Sequence, residues 1–75
     1  MKEQALLLAV ANGYYHFLNF QINKDSNSKA IYNKCINLVK LLTNIKKNEI
    51  EEMFKTCTIF DNPIRTIFNR FKYWL

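Results

Sequence analysis

The longest apolar pattern of the chain lies in its first third and fits either of two structures. Asn12 and Gly13 stand between two apolar runs in residues 5–22, ALLLAVANGYYHFLNFQI, and this dipeptide is a strong signal for a two-residue β-hairpin. The flanking runs do not alternate between apolar and polar residues, and the Ala and Leu residues before Gly13 favour a helix. The helical spacing gives an expected core face of Leu6, Leu7, Val10, Tyr14, Phe17, Leu18 and Gln21. We therefore predict a helix over residues 4–22, in which Gly13 costs about 1 kcal/mol relative to alanine.

A second helix is predicted after the polar break KDSNS at residues 24–28, whose residues favour turns and helix caps. Apolar residues continue at helical spacing beyond the break, so we expect this helix over residues 29–46. Its expected apolar face comprises Ile31, Cys35, Leu38, Val39, Leu42 and Ile45, with Tyr32 on the flank.

Two shorter helices are predicted in the last third of the chain. The third is expected over residues 49–60, with Asn48 as its N-cap and Glu51 at the capping-box position. Asp61, Asn62 and Pro63 predict a turn, a cap and a first-turn proline, so the fourth helix is expected over residues 63–74. Its expected apolar side comprises Ile64, Ile67, Phe68, Phe71, Trp74 and Leu75.

The predicted fold class is all-α, a small bundle of four short helices forming a single domain over residues 1–75. A chain of 75 residues has no room for a second core. Hydrophobic residues make up 49% of the sequence, which is typical of a folded chain and not of a disordered one. The single glycine and single proline argue against a scaffold built mainly of loops.

The first predicted helix is also apolar on the side opposite its core face. Leu8, Tyr15 and Ile22 recur there at seven-residue intervals, and Asn12 and Asn19 run alongside. A helix that is apolar nearly all round is expected to be buried on every side, which so small a domain hardly achieves. Either the other three helices enclose it, or its rear face contacts another molecule, and we favour the second interpretation. The expected protein interface comprises Leu8, Asn12, Tyr15, Asn19 and Ile22, and also Tyr73, which points away from the core stripe of the fourth helix.

Net charge of +5 and a pI of about 9.4 leave a nucleic-acid partner open as the alternative. Lysine can contact phosphates and asparagine can pair with adenine, although a solvated outer face gives the same pattern. A Lys/Asn stripe on the second predicted helix comprises Lys29, Asn33, Asn37, Lys40, Asn44 and Lys47. Arg65, Arg70 and Lys72 of the C-terminal helix would add further contacts. The aromatic residues interleaved there in NRFKYWL are also compatible with an anionic membrane surface, a less favoured partner, or simply with the core.

No residue pattern points to catalysis, a cofactor or a metal. His16 is the only histidine and has no motif partner nearby, so we expect it on the surface. Glu49, Glu51 and Glu52 lie at the start of a predicted helix, where the helix dipole explains them better than paired catalytic carboxylates. One glycine cannot form a phosphate-binding loop. We therefore expect no enzyme and no bound cofactor or metal.

The cysteines and the apolar runs favour a cytoplasmic location. Cys35 and Cys57 form no CxxC motif and are expected as buried thiols in a reducing compartment, although one intramolecular disulfide stays open. The apolar run after Lys2 resembles a weak signal peptide, but it is only seven residues long and Glu3 lies beside it. No apolar run approaches the roughly 20 residues that span a bilayer.

The sequence thus favours a small non-enzymatic protein that docks on a protein partner or on itself. Inhibitor, adaptor, immunity factor and small subunit stay open, because no motif selects among them. Lys, Asn and Ile are abundant and Arg occurs twice, a bias that AT-rich coding produces and that suggests a phage, a mobile element or a low-GC organism.

Overall fold

Four helices and their short connections make up the described part of the chain. The computed structural model describes residues 1–57 and 62–75. The helices are α1 (Lys2–Asn23), α2 (Ser26–Thr43), α3 (Lys47–Lys55) and α4 (Pro63–Lys72). The described residues contain no strand, so the all-α prediction is confirmed and the alternative of a hairpin at Asn12 and Gly13 is wrong.

The turn between α1 and α2 consists of two residues. Lys24 adopts a left-handed conformation with φ of 58°, and its N–H donates to the carbonyl oxygen of Phe20 at 3.0 Å. Asp25 caps α2, because its Oδ1 accepts the N–H of Asn27 at 3.0 Å. The predicted start of α2 at residue 29 is therefore three residues too late. The tight turn lays α2 back along α1, and among the described helices these two form the most extensive contact.

The boundary between α2 and α3 differs from the prediction. Asn44 is left-handed, with φ of 62°, and ends α2 at Thr43 instead of residue 46. Lys46 is the N-cap of α3 in extended conformation, so Asn48 lies inside the helix and the predicted capping box is wrong. At its other end α3 stops at Lys55, and the predicted end at residue 60 lies outside the described residues.

The start of α4 follows the prediction and its end does not. Asn62 is the N-cap, and its Oδ1 accepts the N–H of Arg65 at 3.1 Å, with Pro63 in the first turn. Asp61 of the predicted turn lies outside the described residues. The helix ends at Lys72, and Trp74 and Leu75 are exposed beyond it instead of completing the core stripe. Since Lys72 lies beside Glu3 and Phe68 beside Leu7, α4 runs antiparallel along α1.

Four aromatic rings, one from each helix, meet at the centre of the core. The ring of Phe54 lies 6.2 Å from that of Phe17, 5.7 Å from that of Tyr32 and 6.3 Å from that of Phe71, measured between centroids. These separations are typical of favourable aromatic pairs. Around the rings pack the buried aliphatic residues Leu6, Ala9, Val10, Ile36, Val39, Ile45, Ile50 and Ile67.

The core faces of α1 and α2 are rotated relative to the prediction. In α1 the small residues Ala9 and Gly13 are buried against the neighbouring helices, whereas Leu7 and Leu18 are 42% and 38% exposed and Gln21 is also exposed. In α2 the expected flank residue Tyr32 is buried together with Ile36, while Ile31, Leu38 and Cys35 lie at the margin. Leu6, Val10 and Phe17 of the predicted α1 face are buried as expected. Small residues allow close helix approach but carry little hydrophobic signal, and this is why the predicted face is rotated away from Ala9 and Gly13.

Candidate interaction surface

The side of α1 that faces away from the core is apolar and uncovered. Leu8, Tyr15 and Ile22 are 63%, 62% and 72% exposed, so the other helices do not enclose them. The half-exposed Ala11 and the partly exposed Leu18 continue the same stripe along the helix. We call the surface formed by Leu8, Ala11, Tyr15, Leu18 and Ile22 the α1 outer face. Leu18 is not among the predicted interface residues, because its spacing also fits the core face.

No charge interrupts this surface. All eleven basic and six acidic residues of the chain lie outside residues 4–23. Exposed helix faces usually carry charged residues on the solvent side, so an uncharged face of this length is unusual for a helix that only meets water. The α1 outer face therefore combines exposed apolar side chains with neutral surroundings.

The two asparagines predicted for this interface differ in their surroundings. Asn12 is exposed at the edge of the α1 outer face. Asn19 is half-buried, and its Nδ2 donates to Ser28 Oγ at 3.1 Å, while its Oδ1 accepts from Asn23 Nδ2 at 2.9 Å. Asn19 thus binds α1 to the start of α2, and its side chain is engaged within the chain.

A polar cluster closes this end of the α1–α2 pair. Ser28 is buried, and its hydroxyl donates to Asp25 Oδ2 at 3.2 Å and lies 3.3 Å from Nδ1 of the half-buried His16. A nucleophilic triad would place the imidazole between the hydroxyl and the carboxylate, whereas here the hydroxyl is in the middle. The cluster fixes the two helices to each other, and His16 is less exposed than predicted.

Tyr73 is 90% exposed, as its position opposite the core stripe suggested, but it lies away from the α1 outer face. It lines a shallow cleft with Glu3 and Lys72, whose charged atoms are 3.8 Å apart. At 3.6 residues per turn, Glu3 lies about 120° around the helix from Tyr15. The structure therefore does not bring Tyr73 together with the other predicted interface residues.

A second apolar edge lies on α2. Cys35 faces α1, because a Cβ at Gly13 would lie 3.3 Å from the Cβ of Cys35. Ile31 and Leu38 flank Cys35 at four and three residues, so they follow the same line along α1. Ile31 and Leu38 are about two-fifths exposed, and the nearby Leu41 is 79% exposed. We call Ile31, Leu38 and Leu41 the α2 margin.

The basic residues predicted to contact nucleic acid are divided among three helices. Lys29, Asn33, Asn37 and Lys40 lie on α2, but Asn44 is its left-handed C-cap and Lys47 begins α3. The predicted stripe is therefore not the face of one helix. Lys29 and Asn33 share a cleft with Glu51 and Lys55.

The three basic residues of α4 lie on a helix that packs against α1. Arg65 lines a depression with Leu7 and Phe68. Lys72 pairs with Glu3 and lies 6.0 Å from the centroid of the Phe68 ring, and Arg70 is exposed. α2 and α4 each pack on α1, so these residues and the α2 stripe form two separate sets.

Burial affects two neutral ionisable groups among the described residues, the buried Tyr32 and the half-buried Cys35. Burial, with a smaller effect of the charge on Glu51, raises the pKa of Tyr32, and its hydroxyl has no hydrogen-bond partner among the described residues. Burial also raises the pKa of the Cys35 thiol, and both cysteines are free. Among residues 1–57 and 62–75 there is no group of three His, Cys, Asp or Glu side chains placed to hold a metal ion. No helix in that part of the chain has the length and apolar character needed to cross a bilayer.

Comparisons of the chain with protein-family models, with curated proteins and with solved structures find no match.

Proposed function

We propose that this protein acts by docking on a protein surface through the α1 outer face, without catalysing a reaction. The observation that supports this proposal is the exposure of Leu8, Tyr15 and Ile22 on a helix that carries no charge over residues 4–23. Large contiguous apolar patches on small proteins typically mark interaction sites. Inhibitors, adaptors, immunity factors and small subunits all work in this way.

The side chains of the α1 outer face are suited to a protein contact. Burying a leucine or isoleucine side chain contributes about 1.5–3 kcal/mol, and tyrosine is enriched among residues that dominate binding energy. Tyr15 lies at the middle of the stripe, with Leu8 two turns before it and Ile22 two turns after it. A partner that covers the stripe would therefore have its strongest contact at the centre, as is typical of protein interfaces.

The test replaces an apolar side chain of this face by a carboxylate. We expect Leu8→Asp and Tyr15→Asp to remove self-association or the capture of a protein partner, because each places a charge in an apolar contact. Asn48→Asp makes the matched change at an exposed position on α3. Circular dichroism checks that all three variants keep the wild-type helix content. If both α1 variants self-associate and bind like the wild type, the proposal is wrong.

A nucleic-acid-binding regulator is the alternative proposal, and the net charge of +5 supports it. Its support is weaker than that of docking, because the candidate contacts are spread over α2, α3 and α4 and Lys72 is paired with Glu3. It predicts binding to duplex or single-stranded DNA that weakens steeply with salt. A gel shift at low salt that gives no complex excludes it.

A further inference from the structure

The α1 outer face has the spacing of a coiled-coil seam. Leu8, Tyr15 and Ile22 are seven residues apart, and Ala11 and Leu18 follow the first two at a distance of three residues. These are the a and d positions of a heptad repeat, along which two helices pack side by side. The complete pattern depends on Leu18 being at the surface, where the structure places it. The face is thus suited to contact another helix.

We infer that the occupant of the α1 outer face is the same face of a second copy of this chain, in a two-fold symmetric dimer. This inference rests on the proposed docking function and names the partner. A symmetric dimer uses one patch on both copies, so the patch has to be complementary to itself. The charge and the side-chain volumes of the α1 outer face both meet this requirement.

The charge distribution favours a second copy over a foreign partner. Two copies that each carry +5 repel one another, so a contact where like charges do not meet is favoured. Residues 4–23 form the longest uncharged stretch of the chain. Nucleic acid, an anionic membrane or an acidic protein would be bound by lysine and arginine, and the α1 outer face has neither. The partner that this face fits is neutral and apolar, as the face itself is.

The side-chain volumes favour an antiparallel arrangement of the two helices. In an antiparallel pair centred near residue 13, Leu8 lies opposite Leu18 of the second copy, and Tyr15 lies opposite Ala11. The large Tyr15 side chain then meets the small Ala11 side chain, as in well-packed helix pairs, whereas Ile22 lies opposite position 4 of the second copy. A parallel pair would place Tyr15 against Tyr15 and Ala11 against Ala11, which crowds one layer and leaves a gap in the next.

The size of the face predicts a weak dimer. α1 has 22 residues and is about 33 Å long, but its seam from Leu8 to Ile22 covers only about two heptads. One such seam buries less than the roughly 800 Å² per partner of a standard interface. We therefore expect a dissociation constant above about 1 μM.

Sedimentation equilibrium of the full chain tests the dimer directly. The wild type is expected to pass from monomer to dimer as the concentration rises from about 1 μM to about 1 mM. Tyr15→Asp should weaken dimerisation by at least about 100-fold, because it places two carboxylates in the apolar seam. Asn48→Asp should dimerise like the wild type. Added salt should leave the dimer intact or strengthen it, since salt screens the repulsion between like-charged copies.

The outcomes separate this inference from the proposed function. A wild type that stays monomeric throughout overturns the dimer, but the docking function stands if Tyr15→Asp still abolishes binding of another protein. A dimer that Tyr15→Asp leaves unchanged uses a different surface and overturns the inference. A dimer that dissociates in salt is held by charges and also overturns it.

Disulfide trapping tests the orientation with variants that keep the face apolar. Leu8→Cys and Leu18→Cys chains are prepared separately with Cys35→Ser and Cys57→Ser, then mixed and oxidised. An antiparallel dimer should give mainly the mixed cross-link between the two chains, because position 8 lies opposite position 18. Cross-links that join two Leu8→Cys chains, without the mixed product, would show a parallel pair and overturn the antiparallel assignment.

Discussion

At the scale of single residues, Gly13 allows α1 to lie close to its neighbours. A Cβ at this position would lie 3.3 Å from Cys35 Cβ and 3.3 Å from Phe54 Cζ. The Cβ of Cys35 is attached to the α2 backbone, and Phe54 is fully buried, so neither atom moves aside easily. The glycine that the sequence offered as a turn residue therefore serves helix packing.

We expect Gly13→Ala to destabilise the protein by about 1 kcal/mol. Alanine improves helix propensity by about 1 kcal/mol, but overpacking at so tight a contact costs about 1–3 kcal/mol. Urea unfolding followed by circular dichroism measures the difference. Asn69→Ala at an exposed position of α4 is the control that gains propensity without the contact. A more stable Gly13→Ala variant would mean that α2 and the Phe54 ring shift without resistance.

Tyr32 brings a polar group into the core. Its side chain is only 4% exposed, and its hydroxyl finds no hydrogen-bond partner among the described residues. Its ring, however, packs 5.5 Å from that of Phe17 and 5.7 Å from that of Phe54. The ring is thus well placed, whereas the unpaired hydroxyl costs free energy.

Tyr32→Phe should therefore stabilise the protein by about 1 kcal/mol at neutral pH. The folded state holds the pKa of Tyr32 above its unfolded value of about 10. As the pH rises past that value, the unfolded state loses its proton first, so the free energy of unfolding of the wild type falls. Phenylalanine lacks this titration, so the advantage of the variant should widen above about pH 10. Urea unfolding at neutral and alkaline pH measures both effects, and a variant less stable than the wild type at both would contradict them.

At the scale of elements, two left-handed residues set where α1 and α2 end. Lys24 and Asn44 have φ of 58° and 62°, and each donates its N–H to a carbonyl oxygen of the last helical turn. Asparagine tolerates this conformation, whereas lysine is strained in it. Lys24 therefore closes the α1–α2 turn at a cost, and among the described residues its side chain makes no hydrogen bond that would offset it.

Lys24→Gly should raise the free energy of unfolding by about 1 kcal/mol, because glycine adopts the left-handed conformation without strain. Asn44→Gly is the matched comparison and should change stability less. Thermal unfolding of both variants beside the wild type provides the measurement. An Asn44→Gly variant that gains more than Lys24→Gly would show that backbone strain is not the deciding factor.

The elements were predictable where local signals agree. Asn62 and Pro63 mark the start of α4 as expected, because cap and proline act within one turn. The end of α2 and the start of α3 were not, since a left-handed asparagine and an extended lysine at position 46 have weak sequence signatures. The orientation of α1 and α2 also escaped prediction, because it depends on Ala9 and Gly13 fitting against neighbours that only the tertiary structure supplies.

At the scale of the whole molecule, the α1 outer face is exposed because the other helices are too short to cover both sides of α1. The seven-residue spacing of Leu8, Tyr15 and Ile22 predicted this exposure, because so short a chain cannot cover both sides of one helix. Heptad spacing also places Leu18 on this face, whereas the broader helical pattern predicts it in the core. The separation of Tyr73 from this face depends on how α4 packs, which the sequence does not encode locally.

The contact of four aromatic rings at Phe54 couples all four helices to one another. Since each helix contributes a ring to this contact, no helix can detach without exposing the rings of the other three. Unfolding is then expected as a single all-or-none step, with no half that survives alone. A partner that binds α1 therefore also restrains the other three helices, through the tilted and edge-to-face ring contacts at Phe54.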